Sequence, residues 1–263
     1  MRTTAHDVLQ QFCTSDRTQR VFADWRDDPR RRDVVPAVME HGTSVVYEMS
    51  PGDVQSVCSR TEHALGLVRR EVGESVAAIV DWHPDFAFTH MFHLCMEHIG
   101  HLPTYQEFRE FADTDHLGMR MLGGPSRAKV REVASLGVPE DRARAAMRWR
   151  VGNAYYSFLR EVVTVVTLRH LGVDVRVHPL ADALFRVDAW VGRKVLSLLI
   201  SNRKFRQGQR HGRKVRPELW LADVFPPMEF ECIELRPATE FGHVHVPSTE
   251  HLTEVADRLR AAT

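Results

Sequence analysis

Apolar residues in the first 150 positions recur at the three-to-four spacing of helices that turn one face to a core. Val8, Leu9 and Phe12 share one such face, ahead of a polar Arg/Asp-rich stretch that runs to Arg32 and Asp33. Val57, Leu65, Val68, Val72, Val76 and Ile79 continue the pattern from Ser56 to Val80, and Phe86 to Ile99 predicts a further apolar helix after Pro84. Thr43 to Tyr47 reads as a short strand. Beyond Gly100, Thr104 and Glu107 have the spacing of a capping box, which starts a helix through Phe111. A short segment from Leu117 to Leu122 and the breaker Gly123-Gly124-Pro125 follow, then a helix from Arg127 to Leu136, with Ser126 as its cap and Gly137 as its stop. Three short helices with tight turns make 102–137 a candidate helix-turn-helix; a small helical bundle is the alternative.

The pattern then changes. Trp149 to Leu171 predicts one long helix, with Val151, Tyr155, Phe158, Leu159, Val162, Val163 and Val166 inward and Gly172 as its C-terminal stop. Val173 to Val177 and Leu184 to Val191 alternate as strands, the second placing Leu184, Arg186, Asp188 and Trp190 on one face. Gly192 turns the chain into Val195–Ile200, a nearly continuous apolar run of the kind a buried central strand carries. Phe230 to Leu235 and His243 to Val246 predict two more strands, and Thr249 to Ala262 a closing helix. The fold class expected is α/β (α+β): a mainly helical N-terminal lobe over 1–148, then a mixed sheet flanked by helices over 149–263.

Composition narrows the classes. The 263 residues are 43% hydrophobic and 27% charged, an ordinary globular balance that excludes a disordered or collagen-like chain. Lys+Arg and Asp+Glu are 35 each, so any polyanion-binding surface must come from local segregation of charge. Cys13, Cys58, Cys95 and Cys232 are far apart and form no CxxC pair, which predicts free thiols in a reducing compartment. The N-terminus lacks the apolar run of a signal peptide, and no segment approaches the ~20 apolar residues of a membrane span. The expectation is a cytoplasmic protein with no membrane partner.

Candidate chemistry concentrates after the long helix. Asp188 stands mid-strand on the face opposite the apolar one of Phe185, Val187, Ala189 and Val191, and a carboxylate there needs a partner, a metal or water. Pairing through the Gly192 turn would return the polar end of the next strand, Ser201-Asn202-Arg203-Lys204, toward Asp188. A carboxylate, an amide oxygen and an ammonium at a strand end can hold Mg2+ and a water. Glu161, inside an apolar stretch of the long helix, can face the same cluster. From Arg203 to Arg216 the chain carries Arg203, Lys204, Arg206, Arg210, Arg213, Lys214 and Arg216 with no acidic residue before Glu218. Such a segment neutralises phosphates, or is a solvated loop.

From Trp149 to Thr263 this arrangement resembles the PD-(D/E)XK nuclease superfamily, the restriction-endonuclease-like fold. Its core is a helix often carrying a Glu, a strand hairpin with an Asp, and a strand with (D/E)-x-Lys. The matching positions are Glu161, Asp188 and Asn202-Arg203-Lys204, with Asn202 where the family has an acidic residue. The resemblance implies Mg2+ or Mn2+ held by Asp188, Glu161 and Asn202, with Glu218 another source of a second carboxylate, and Lys204 orienting or deprotonating the attacking water. It implies an endonuclease acting on DNA, in restriction, phage defence or transposon-type cleavage, as a homodimer or with other defence or mobile-element proteins. Two other readings stand beside it: a non-catalytic nucleic-acid-binding protein whose site was lost at Asn202, and a helical protein-interaction subunit.

The last feature is a histidine-rich run of His83, His90, His93, Cys95, Glu97, His98 and His101. On a helix, His90, His93, Glu97 and His101 lie near one face, a spacing able to bind Zn2+. The apolar residues between them favour core or interface histidines. No GxGxxG, GxxxxGK[ST] or GxSxG motif occurs, which disfavours an ATPase, a dinucleotide enzyme and an α/β-hydrolase.

Overall fold

The computed structural model describes residues 1–84, 88–200 and 216–261. The helical part opens with strand β1 (Thr3–Thr4), which pairs with β2 (Gly42–Thr43) and feeds α1 (Ala5–Phe12). Then come α2 (Asp16–Arg26), α3 (Val35–Glu40), α4 (Val45–Glu48) and α5 (Pro51–Arg60). Helices α1, α2 and α5 each start at a reciprocal capping box, on Thr4, Ser15 and Ser50. The strand expected over Thr43–Tyr47 is mostly the α4 turn, since Val45, Val46 and Tyr47 leave the ladder after Thr43. The single helix expected from Ser56 to Val80 is broken into α5, α6 (Arg70–Gly73) and α7 (Ala77–Val80). Gly66, at φ +59, turns the chain between them.

Helix α8 (Phe88–Ile99) carries most of the histidine-rich run. Helix α9 (Tyr105–Thr114) begins as the sequence predicts: the Glu107 carboxylate accepts from the Thr104 N–H at 2.8 Å while Thr104 Oγ1 accepts from the Glu107 N–H. The corner after it differs from the expectation. α10 (His116–Gly118) continues through a π-helical turn, Met119–Gly123, directly into α11 (Gly124–Ser135), so Gly123-Gly124-Pro125 does not break the helix. Pro125 has no N–H to give, and the wider turn absorbs that loss. Ser126 Oγ donates to the Gly123 carbonyl rather than capping a new helix. Gly118 and Gly123 make the corner tight: a Cβ on either would meet the Phe111 or Ala112 carbonyl oxygen of α9 at 2.1 Å.

Helix α12 (Glu140–His170) starts nine residues before the expected Trp149 and ends, as expected, ahead of Gly172 at φ +84. It runs the length of the core, so buried side chains from Ala5 to Leu259 form one continuous cluster. Val173–Val177 makes a single bridge, Arg176 to Trp190, in place of a full strand. The expected strand over Leu184–Val191 divides in two. Pro179 at the first helical position, His178 as N-cap and Asp182 in the first turn start α13 (Pro179–Phe185), which buries Leu180, Ala181, Leu184 and Phe185. Arg186, at φ +61, closes that helix, and only β3 (Ala189–Val191) is extended.

Strand β3 turns at Gly192 into β4 (Lys194–Ile200), antiparallel, with Ala189 opposite Leu196 and Val191 opposite Lys194. After α14 (Glu218–Leu221), β5 (Glu229–Leu235) pairs parallel with β4, Ser197 beside Cys232 and Leu199 beside Glu234. The sheet is mixed, in the order β3-β4-β5 with the apolar β4 central, as the sequence predicts. A hairpin of β6 (Pro237–Phe241) and β7 (Val244–Pro247), turned at Gly242, forms a separate two-stranded sheet, and α15 (Thr249–Ala261) closes the chain. Arg258 of α15 bonds Glu231 at 3.1 Å, so α15 covers the sheet face that also carries Ile233 and Leu235. No helix among the described residues is long and apolar enough to cross a membrane.

Candidate functional site at the open end of the mixed sheet

The sheet face opposite α15 carries Trp190, Val195, Ser197, Leu199, Phe230, Cys232 and Glu234, by the register of β3, β4 and β5. At one end Trp190 is buried, with the Phe12 ring of α1 edge-on at 5.3 Å. At the other end the face opens: Leu199 is 45% exposed and Cys232 lies at the surface. Asp188 enters at this open end, directly before β3. Continuing the β3–β4 register places it opposite Ser197, and its Oδ2 accepts from the Leu198 N–H at 2.9 Å. The Asp188 carboxylate thus extends the ladder past its last backbone pair and fixes where β4 passes β3.

Several charged groups act on Cys232. Partial desolvation of its sulfur, then the charge of Glu218, raise the thiol pKa; Arg216 opposes them, and Asp188 and Glu231 add to the rise. The fields of Glu218, Arg216, Asp188 and Glu231 all reach the Cys232 sulfur, Glu231 from the other face of the sheet. Glu218 is the first residue of α14, which lies between β4 and the parallel β5 in the chain. Arg216 is exposed and is the one described member of the basic segment.

The other sequence-predicted site residues divide as follows. Glu161 sits half-buried on α12, beside Arg160, whose guanidinium donates to the His245 carbonyl at 2.8 Å. Asn202, Arg203, Lys204, Arg206, Arg210, Arg213 and Lys214 lie outside the described residues. Among the described residues no group of three or more His, Cys, Asp or Glu side chains is placed to hold a metal ion. Asp188, Glu161 and Glu218 thus do not by themselves fit a Mg2+ site, and a metal at Asp188 would need a donor from 201–215.

Of the histidine-rich run, His90 and His93 join the core, while His83, His98 and His101 are exposed. The Glu97 carboxylate accepts from the Ser44 and Val45 N–H groups at 2.8 and 2.9 Å and from Ser44 Oγ at 2.7 Å, so it caps α4. His90 and His93 are buried, and His90 Nε2 bonds the Pro179 carbonyl at 2.7 Å. They meet two further buried histidines that the sequence pattern did not single out, His41 and His178. The His41 ring lies 6.1 Å from that of His93 and 5.2 Å from that of His178. The His178 Nδ1 accepts from the Leu180 N–H at 3.0 Å, which puts its proton on Nε2, facing the His41 carbonyl at 3.3 Å. Burial holds all four below the usual histidine range: His90 and His178 at about 4, His93 at about 3 and His41 at about 2. Neighbouring histidines lower His41, His93 and His178 further. These four neutral rings join β2, α8 and the start of α13. His41 and His178 stand alone in the sequence, so no local spacing marks them.

Comparison with models of protein families, with characterised proteins and with solved structures finds no match to this chain.

Proposed function

We propose that the protein is a metal-dependent endonuclease that hydrolyses phosphodiester bonds in DNA at the open end of the mixed sheet. The observation that carries this reading is the placement of Asp188. It stands at the entry of a tight antiparallel hairpin, beside the outgoing end of the central strand. The central strand leads straight into the basic segment 201–215, so cations and Asn202 and Lys204 follow the strand whose position Asp188 fixes. Bound Mg2+ would supply a Lewis acid for the phosphoryl oxygen and lower the pKa of a water. In this reading Asp188 would help hold the metal and the Lys204 ammonium would orient the attacking water, while Arg216 and the cations before it would hold the backbone.

A second reading is favoured by one observation. Oδ2 of Asp188 is already engaged by the Leu198 N–H, and the residue opposite Asp188 is Ser197, which carries no charge. A carboxylate spent on the strand ladder suits a protein that binds nucleic acid on this sheet without cutting it. Incubation of supercoiled plasmid with the protein in Mg2+ or Mn2+, against the same mixture in EDTA, separates the two. Nicked or linear product that needs the metal supports the nuclease; a mobility shift without product under every condition supports the binder.

A further inference from the structure

Lined by no residue of the mixed sheet, a cleft of about 550 Å³ whose rim is rich in arginine lies between α9, α11 and the first turns of α12. Arg127 and Arg131 come from α11, and Arg144 and Arg148 from α12. Both pairs are spaced i, i+4, so each helix presents two guanidinium groups on one face about 6 Å apart along its axis. The floor is apolar, formed by the buried Val130 and Met147. Two carboxylates share the rim. Asp113 accepts from Arg127 at 2.7 Å, Glu140 from Arg144 at 2.5 Å, and Glu62 lies 3.8 Å from Arg148, which leaves Arg131 in excess of the carboxylates. Arg148 is oriented from behind, donating to the His63 and Ala64 carbonyls at 3.3 Å each. Arg131 is exposed and makes no ion pair among the described residues.

We propose that this cleft binds the sugar–phosphate backbone of a nucleic acid. Guanidinium groups on two facing rows match a chain that repeats a phosphate at a similar interval, and their planar forks bind phosphate oxygens in pairs. The apolar floor suits a sugar better than a second row of charges would. The tight corner at Gly118 and Gly123 holds α9 against α11 and so fixes the width of the cleft. This surface is separate from Asp188, needs no metal, and stands even if the protein cleaves nothing.

The test is fluorescence anisotropy with a labelled DNA duplex in EDTA, titrated over KCl, for the wild type, the pair Arg131→Gln with Arg144→Gln, and Arg142→Gln, an exposed arginine of α12 outside the cleft. All substituted positions are exposed, and thermal melts are run to confirm unchanged folding. The paired variant is expected to lose tenfold or more in affinity at low salt and about 1.8 units from the slope of log K against log salt, from two phosphate contacts at roughly 0.9 each. Arg142→Gln is expected to keep the wild-type slope. A wild-type slope in the paired variant overturns the proposal, as does a wild-type protein that binds no duplex. Competition by poly-glutamate as effective as unlabelled duplex at equal charge also overturns it, since the cleft would then take any polyanion. Loss of plasmid cleavage in Mg2+ bears on Asp188 alone and leaves this measurement unaffected.

Discussion

The Asp188 carboxylate accepts a hydrogen bond from the backbone N–H of Leu198 at 2.9 Å, across the open end of the β3–β4 hairpin. The residue assigned to chemistry therefore also sets strand register, and its two roles predict different responses to two substitutions. Asp188→Asn keeps an oxygen acceptor and should leave stability within about 1 kcal/mol of wild type. Asp188→Ala strands the half-buried Leu198 N–H and should cost about 2 kcal/mol. Chemical denaturation of both variants checks this, and equal losses would remove the structural role.

The four buried histidines predict acid sensitivity with a definite sign. Their folded pKa values lie at about 4 for His90 and His178, about 3 for His93 and about 2 for His41, below the ordinary value near 6.5. The unfolded chain therefore binds more protons than the folded chain below pH 6.5, and stability is full above that pH and falls as pH drops toward 4. Each such histidine adds up to ~1.4 kcal/mol per pH unit to the fall. The nearby charges are Asp7, Asp182, Arg2, Arg31 and Arg186; Asp182 and Asp7 favour protonation and the arginines oppose it. A proton on His178 Nδ1 would also face the Leu180 N–H and undo the cap of α13. Urea midpoints from pH 7.5 to 4.5 should fall steeply in the wild type and less steeply in His93→Gln. A flat profile would contradict the burial of this cluster.

The corner between α9 and α11 gives a steric prediction. A methyl at Gly118 or Gly123 would meet a backbone oxygen at 2.1 Å, whereas at Gly52 the nearest atom is 3.6 Å away. Gly118→Ala and Gly123→Ala should each cost about 3 kcal/mol and broaden the melt, while Gly52→Ala should lie within about 0.5 kcal/mol of wild type. A stable, wild-type-like Gly123→Ala would mean the π-helical turn does not pack on α9 as described.

Much of this was legible in the chain. The capping box at Thr104–Glu107, the stops at Gly137 and Gly172, the turn at Gly192 and the central apolar strand all rest on local backbone chemistry, and all occur where the residues place them. Alternation misled at Leu184–Val191, because Pro179 and the His178 cap commit Leu184 and Phe185 to the end of a helix that buries both, which leaves only Ala189–Val191 extended. The helix through Gly123-Gly124-Pro125 was hidden for the opposite reason: residues that usually break a helix are tolerated where a π-turn and close packing on α9 replace the lost bond. Of the site, Asp188 and the Gly192 turn that pairs β3 with β4 could be read locally. The parallel pairing that sets Ser197 beside Cys232 could not, since it depends on a crossover, and neither could the meeting of His41 with His178, 137 residues apart.

The basic segment predicts a salt effect separable from that of the arginine cleft. Neutralising Arg206, Arg210 and Arg213 together should weaken binding to every duplex alike and reduce the salt slope by up to about 3 units. Sequence preference should not change, because backbone contacts position a protein without reading bases. Salt titrations on two unrelated duplexes test this, and an unchanged slope would make the segment solvated surface.

The most direct test of the central claim is the cleavage of supercoiled plasmid in Mn2+ by wild type and Asp188→Asn, with binding to the same DNA followed in parallel. The account predicts metal-dependent nicking by the wild type. It predicts none by Asp188→Asn, with its DNA affinity and melting temperature retained. Nicking by Asp188→Asn at the wild-type rate, or no cleavage by the wild type in any divalent metal, would contradict it.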